Sequence, residues 1–389
     1  MMLHLPKKSE KPGLLHRLLA LIVTAALLLG ALVLVVYRDE LNLDALHRWL
    51  TYRNLQTSST GESASFTHGG GEQMNFAYLR SGLLMASAAG AHYYSFEGEQ
   101  YAEQVVSLSS PVLTWSDTTG VVYDAGGRDL YLFSGVEQTF SLRLDPGADL
   151  LSARVNRSGW LAVTAQQGGH KGSVTIYSAG HQEQMQINMS STFVMDAAIS
   201  PDCRTVAVVT IGQDGGVFRS TLLIYPINSK EPSHSIPLGN ITVLDLEFEG
   251  DQIWALGEDR LLCVDLGQEE PAAAQYLFGS GFLKGCSLRG DGFALLMLGR
   301  YQAGSADQMV VVGPDGSVQA AQALNAQVLD FDAAGSYCSL LTADALTIYH
   351  TDLEEYARLE NQRGARYTAL APTGASLLAD SQQAWLYIP

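Results

Sequence analysis

Residues 149–189 read DLLSARVNRSGWLAVTAQQGGHKGSVTIYSAGHQEQMQINM. Four short runs in this stretch alternate or carry continuous apolar residues: 149–155, 160–165, 173–177 and 184–189. Between them lie turn formers, Asn156-Arg157-Ser158-Gly159 first. Alternation over five to seven residues, bounded by Gly, Asn and Ser, is the signature of strands joined by tight turns. The stretch therefore predicts a four-stranded antiparallel unit, with strands a to d in chain order.

The same unit recurs. Its a–b turn is marked at Gly82, Gly120, Gly159, Cys203, Gly250, Gly292, Gly335 and Gly374, at intervals of 38 to 47 residues. A period near forty with four strands per repeat predicts a β-propeller, because no single small sheet can bury its own faces and a ring of them can. Further a strands are read at 112–116, 196–200, 243–248, 283–288, 327–332 and 366–371. Strand c ends in an aromatic or aliphatic–Tyr pair in six repeats, as at Tyr93-Tyr94, Ile176-Tyr177 and Leu386-Tyr387, whose rings suit packing between blades. The eighth repeat stops after its strand c, and residues 64–68 are expected to supply the missing outer strand. Eight blades are expected, with seven as the alternative count.

Outward from the repeats, residues 18–36 form a run of nineteen without a charge. As a helix that run is about 30 Å long, the hydrocarbon thickness of a bilayer. Residues 1–17 carry net +3 and the remainder −20. The positive-inside rule then places 1–17 as a basic cytoplasmic tail, 18–37 as a transmembrane helix and 63–389 as an extracytoplasmic propeller. The exit at Val35-Val36-Tyr37-Arg38 lacks a small-x-small cleavage pattern, so the run reads as an uncleaved signal anchor in the cell membrane. Within the intervening 38–62, residues 41–55 suit an amphipathic juxtamembrane helix and 56–62 a Ser/Thr/Gly-rich linker.

The acidic balance excludes nucleic acid as a partner, since it repels phosphate. The cysteines at 203, 263, 286 and 338 form no CxxC pair, and no His stands at metal-ligand spacing, so no metal or cofactor is expected. Buried free thiols are expected, with a Cys263–Cys286 bridge the alternative. The chain has no HExxH, GxSxG, P-loop or EF-hand pattern. Thr114 to Gly120 does not keep the spacing of a sialidase Asp-box. Asp330/Asp332 and Glu247/Glu249 place acids on one strand face. Strand a otherwise reads as apolar and small toward the axis, so these acids are expected to be solvated or to cap turns. No catalytic residue is assigned.

The fourth repeat contains Ala198-Ile199-Ser200-Pro201-Asp202-Cys203-Arg204-Thr205-Val206-Ala207, which resembles the SPDG-type turn of WD40-like propeller repeats, with Cys203 in the glycine place. The WD and GH dipeptides of eukaryotic repeats are absent. The whole layout, one N-terminal anchor and a degenerate propeller, resembles an uncharacterised family of membrane-anchored, WD40-like or quinoprotein-like propellers of Gram-positive anaerobic bacteria. That resemblance implies a fold and a layout but no activity.

Insertions grouped on one face of a propeller mark a binding face. The b–c connections vary most, at 166–172, 212–220 and 299–307. Candidate contact residues are Gln167, His170, Lys171, Gln213, Asp214, Phe218, Arg219, Arg300, Tyr301 and Asp307. If residues 64–68 close the ring, the linker enters at the a–b face and these loops point away from the bilayer. The preferred function is a non-enzymatic binding or scaffold module of the cell envelope, with an envelope protein, peptide or glycan as partner. The alternative is an extracellular hydrolase or lyase with its site at the propeller mouth, which several carboxyls around a deep axial pocket would favour.

Overall fold

The computed structural model describes residues 21–25 and 43–389. Residues 21–25 are helical, but the rest of the expected transmembrane run lies outside the described residues. Among the described residues no helix is long and apolar enough to cross a membrane. The chain divides into two units, 1–53 and 54–389. The first contains helix α1 (Leu43–Tyr52), which ends short of the expected residue 55; residues 41 and 42 lie outside the described residues. Leu46, Trp49 and Leu50 on α1 are exposed.

In the second unit, eight antiparallel four-stranded sheets are arranged in a ring. The innermost strands, in order, are Asn75–Leu79, Pro111–Trp115, Ala148–Val155, Phe193–Ile199, Val243–Glu249, Phe282–Gly290, Val328–Ala334 and Tyr367–Leu370. Each contacts the next, and the eighth contacts the first, which closes the circle. The molecule is an eight-bladed β-propeller.

Closure follows the route expected from the sequence. Strand Phe66–Thr67 pairs antiparallel with Gln383–Tyr387, strand c of blade eight, and so takes the outermost place. Flanking bonds extend the seam: Ser63 N–H donates to Leu386 O at 2.8 Å, and His68 N–H to Gln382 O at 3.0 Å. Glu62, almost fully buried, meets Arg363 at 3.1 Å. Because the closing strand runs from the a–b side upward, residues 57–63 lie at the a–b edge of the ring, where Glu62 bridges Tyr387 at the end of strand c.

The core lies between blades. Strands b and c are largely buried on both faces, while strand d alternates, as in the exposed and half-buried rhythm of Glu137–Arg143. Between blades four and five, Val209, Leu222 and Ile224 pack on Leu246, Ile253 and Leu262. Each such aliphatic side chain contributes about 1.5–3 kcal/mol through burial. Strand c aromatics pack between blades: Tyr93 is fully buried and its hydroxyl donates to Gly135 O of blade two at 2.9 Å.

Six of the eight markers, from Gly159 to Gly374, have positive φ at the a–b turn, including Cys203 at φ 60° in the glycine place. Gly82 and Gly120 do not. They are strand residues, and each lies where a Cβ would collide, with Tyr94 O in one case and the Leu84 side chain in the other. The fourth-repeat segment 212–220 is also not a loop. Strands Thr205–Asp214 and Val217–Pro226 pair up to Asp214↔Val217, and Gly215-Gly216 makes the two-residue turn. Two glycines of positive φ suit the turn whose twist matches its strands.

All four cysteines are free; Cys263 and Cys338 are buried and Cys286 half-buried. The Cys263–Cys286 bridge is absent.

Candidate functional site: the axial cavity

The axis is not apolar. In blades three to seven, strand a carries a β-bulge at an equivalent place: before Ser152, Asp196, Asp245, Gly285 and Asp330. Strand a of blades one, two and eight pairs without interruption. A bulge adds one unpaired residue and re-aims the side chains that follow it. Here it turns charged residues toward the axis. Three bulges are followed at once by an Asp, and each of these carboxylates accepts the N–H of the next residue, at 2.8 to 2.9 Å.

Two clamps repeat the same chemistry. In the first, Ser152 donates to Asp196 Oδ1, and Arg154, two residues on, reaches Asp196 Oδ2 at 2.7 Å. Arg154 also contacts Asp245 and lies 3.7 Å from Glu247, so one guanidinium from blade three ties blades four and five. In the second, Ser287 donates to Asp332 Oδ1 at 3.0 Å, and Arg289 reaches Asp332 Oδ2 at 3.4 Å. Asp332 and Asp330 also accept the N–H groups of Leu370 and Thr368 in blade eight. Asp330 and Asp332 therefore stitch neighbouring blades, rather than standing solvated or capping turns as expected.

Arg289 belongs to blade six, yet its guanidinium lies 4.0 Å from the Trp115 ring of blade two, on the opposite side of the circle. This cation–π bar divides the axis in two. A cavity of about 610 Å³ is lined largely by the first halves of the innermost strands. A smaller one, about 70 Å³, is lined by their ends and the a–b turns. Trp115, Arg154, Glu247 and Arg289 line both and so form the partition. The larger cavity reaches the surface on the face of the b–c and d–a connections, where exposed Asn75 and Leu244 form part of its rim.

Its walls differ in kind. Blades eight, one and two supply Tyr367, Phe76, Val112 and Trp115, with the Phe76 and Tyr367 rings 5.0 Å apart. Blades three, five, six and seven supply four carboxyls, Asp245, Glu247, Asp330 and Asp332, and two guanidiniums, Arg154 and Arg289. Burial pushes Glu247 up to about 7 against the pull of Arg154, even though 42% of its side chain still faces the cavity. Burial likewise pushes Asp330 up to about 7, with Asp332 beside it adding to the rise. Both remain proton carriers near neutrality.

The contact residues expected from the loops form two separate groups. Lys171, in the b–c turn of blade three, donates to Ser191 O at 2.8 Å and lies over the half-exposed Phe193 ring at 5.1 Å. Gln167 ends strand b of the same blade, and His170 stands beside Lys171 in the turn. Gln213 pairs with Phe218, and Gly212 with Arg219, in the projecting hairpin of blade four, near whose tip Phe218 is 60% exposed. Asp214 takes the last paired position before the turn. Arg300, Tyr301 and Asp307 are two blades further on, where Asp307 accepts the Arg300 N–H at 3.2 Å and Tyr301 is 71% exposed. None of the ten lines the axial cavity. Among the described residues no group of His, Cys, Asp and Glu could hold a metal ion.

A family model, a family of unknown function (DUF5711), matches residues 51–364. The chain belongs to that family. No curated protein matches it. Among solved structures it is similar to the C-terminal WD40 domain of Sif2, with 14% identity, TM-score 0.54, and coverage of 79% of this chain and 93% of that one. It is also similar to the β-propeller domain of Cps50 (Swd1) from Myceliophteria thermophila, with 10% identity, TM-score 0.50, and coverage of 73% and 99%. At these identities the likeness extends to the fold alone. The WD40-like turn at Ser200-Pro201-Asp202-Cys203 therefore sits in a WD40-like propeller, although the WD dipeptide is missing.

Proposed function

We propose that this chain is a membrane-anchored binding propeller of the cell envelope that does no chemistry of its own. Its ligand would engage the face carrying the b–c connections and the mouth of the larger axial cavity. The observation that carries the reading is the state of the axial acids. Asp196 is held by a serine, an arginine and one backbone N–H, Asp332 by a serine, an arginine and two backbone N–H groups, and Asp330 by two backbone N–H groups. Carboxylates committed to such bonds hold blades together and are poor nucleophiles or bases. The cavity volume, about 610 Å³, is in the range of ligand pockets. The uncharged run at 18–36 would hold the propeller outside the cytoplasmic membrane, with the exposed Leu46, Trp49 and Leu50 of α1 against the lipid surface. Residues 57–63, at the a–b edge, would direct that edge toward the bilayer.

A photo-crosslinking amino acid at His170, Phe218 or Tyr301, in intact cells, tests this reading. These positions should capture an envelope protein, peptide or glycan, while Arg204 on an a–b turn should capture none. Equal capture from both faces, or none from either, would overturn it.

An extracellular hydrolase or lyase is the second reading. It is favoured by Glu247 and Asp330, two acids in one cavity raised to about 7, a suitable range for general acids. Turnover of an envelope glycan or peptide that Glu247→Gln abolishes would establish it in place of the first.

A further inference from the structure

We propose that the larger axial cavity binds a small organic cation, a primary ammonium or guanidinium on an aromatic or apolar body. The inference deepens the binding reading and rests on it. It follows from charge and from shape. The cavity is lined by four carboxyls and two guanidiniums, and by no lysine or histidine. Arg154 is committed to Asp196 and Asp245, and Arg289 to Asp332 and the Trp115 face. Glu247 and Asp330 are left without a cation of their own, apart from the 3.7 Å approach of Arg154 to Glu247.

An anion is excluded from such a space, and a neutral ligand leaves both acids without a counter-charge. A cation supplies it, in a place where water is partly excluded and the pairing is strong. The opposite wall selects what the cation is attached to. Phe76 and Tyr367 form an aromatic pair on the wall that also holds Val112; Glu247 of blade five lies across the ring from Phe76 of blade one, while Asp330 lies beside Tyr367, accepting the Thr368 N–H. An ammonium at Glu247 would lay its apolar body on those rings. The division into a charged arc and an aromatic arc favours an amphipathic cation over an inorganic one. The Arg289–Trp115 bar closes the far end, so the ligand enters and leaves by the loop face.

The site also makes affinity depend on pH. Glu247 is faced by Arg154, Asp245, Arg289 and Asp196, and Asp330 by Asp332 and the Thr368 and Phe331 N–H groups. Both acids are raised to about 7, whereas an alkyl ammonium stays charged up to about pH 10. Affinity should therefore rise from pH 6 to pH 8.

The test uses the full chain in detergent and isothermal titration calorimetry with three probes of one shape: phenethylamine, phenethyl alcohol and phenylacetate. The amine is expected to bind at least tenfold more tightly than the alcohol, and phenylacetate not at all. Glu247→Gln should weaken the amine about tenfold and flatten its pH dependence. Asp330→Asn, which keeps an acceptor for the Thr368 N–H, provides a second variant in case the first folds poorly, and it should weaken the amine too. Equal binding of amine and alcohol, or full amine affinity in both variants, would overturn the proposal. The outcome is independent of the envelope crosslinks: a propeller that captures an envelope partner yet ignores the amine retains the binding reading and loses this one.

Discussion

Blades three to seven and blades eight, one and two build the same ring from the same four-stranded unit, yet they present opposite chemistry to the axis. The first group bulges strand a and brings forward Arg154, Asp196, Asp245, Glu247, Arg289, Asp330 and Asp332. The second pairs strand a in unbroken register and brings forward Phe76, Trp115 and Tyr367. One inserted residue per strand, with a second irregularity at Ser287–Gly290 in blade six, separates the two outcomes. A propeller can thus change the lining of its axis without changing the apolar contacts between blades, because the bulge is confined to the innermost strand.

If that contrast holds, damage to the charged arc should cost more than damage to the aromatic one. Arg154→Met leaves Asp196 and Asp245 without their cation, and removing one partner of a buried ion network costs about 3–5 kcal/mol. The loss should appear as a lowered urea midpoint with an unchanged slope. Phe76→Leu keeps an apolar group on the aromatic wall and should cost about 1–1.5 kcal/mol. A larger loss from Phe76→Leu than from Arg154→Met would break the comparison.

The acids of the charged arc also set a direction for stability against pH. Glu247 and Asp330 are raised to about 7 in the folded chain. Unfolded, both ionise near pH 4. The folded state therefore binds more protons between pH 4 and 7, so stability from these two groups is present at low pH and is lost as pH rises through 7. The melting temperature should fall by a few degrees between pH 5 and pH 8. Asp330→Asn should reduce that fall, raising stability at pH 8 with little effect at pH 5. No aromatic-arc substitution should alter the pH profile.

The ring was legible in the sequence and the axis was not, for a physical reason. Turn chemistry at a fixed interval requires only local residues, so Gly159, Gly250, Gly292, Gly335 and Gly374 marked true left-handed turns. Gly82 and Gly120 kept the period for another reason, close packing, and could not be told apart from turn glycines. The closing strand at residues 64–68 could be read because the eighth repeat lacked an outer strand. The axis depends on bulges, which shift the two-residue alternation by one and leave no residue type of their own. A count of alternation across Val194–Asp196 or Val243–Asp245 assigns the wrong face. A signal did exist: an Asp or Arg within strand a of five consecutive repeats, and Ser-x-Arg twice, at Ser152/Arg154 and Ser287/Arg289. The hairpin of blade four reads as a loop because Gly215-Gly216 and polar Gln213 and Arg219 mask a ladder of paired residues.

The most direct test of the two-sided axis is a crystal structure with 4-bromophenethylamine, whose bromine locates the aromatic end by anomalous scattering. The account predicts bromine against Phe76 and Tyr367 and the ammonium within hydrogen-bonding distance of Glu247. Bromine on the charged side, or only outside the propeller axis, would contradict it.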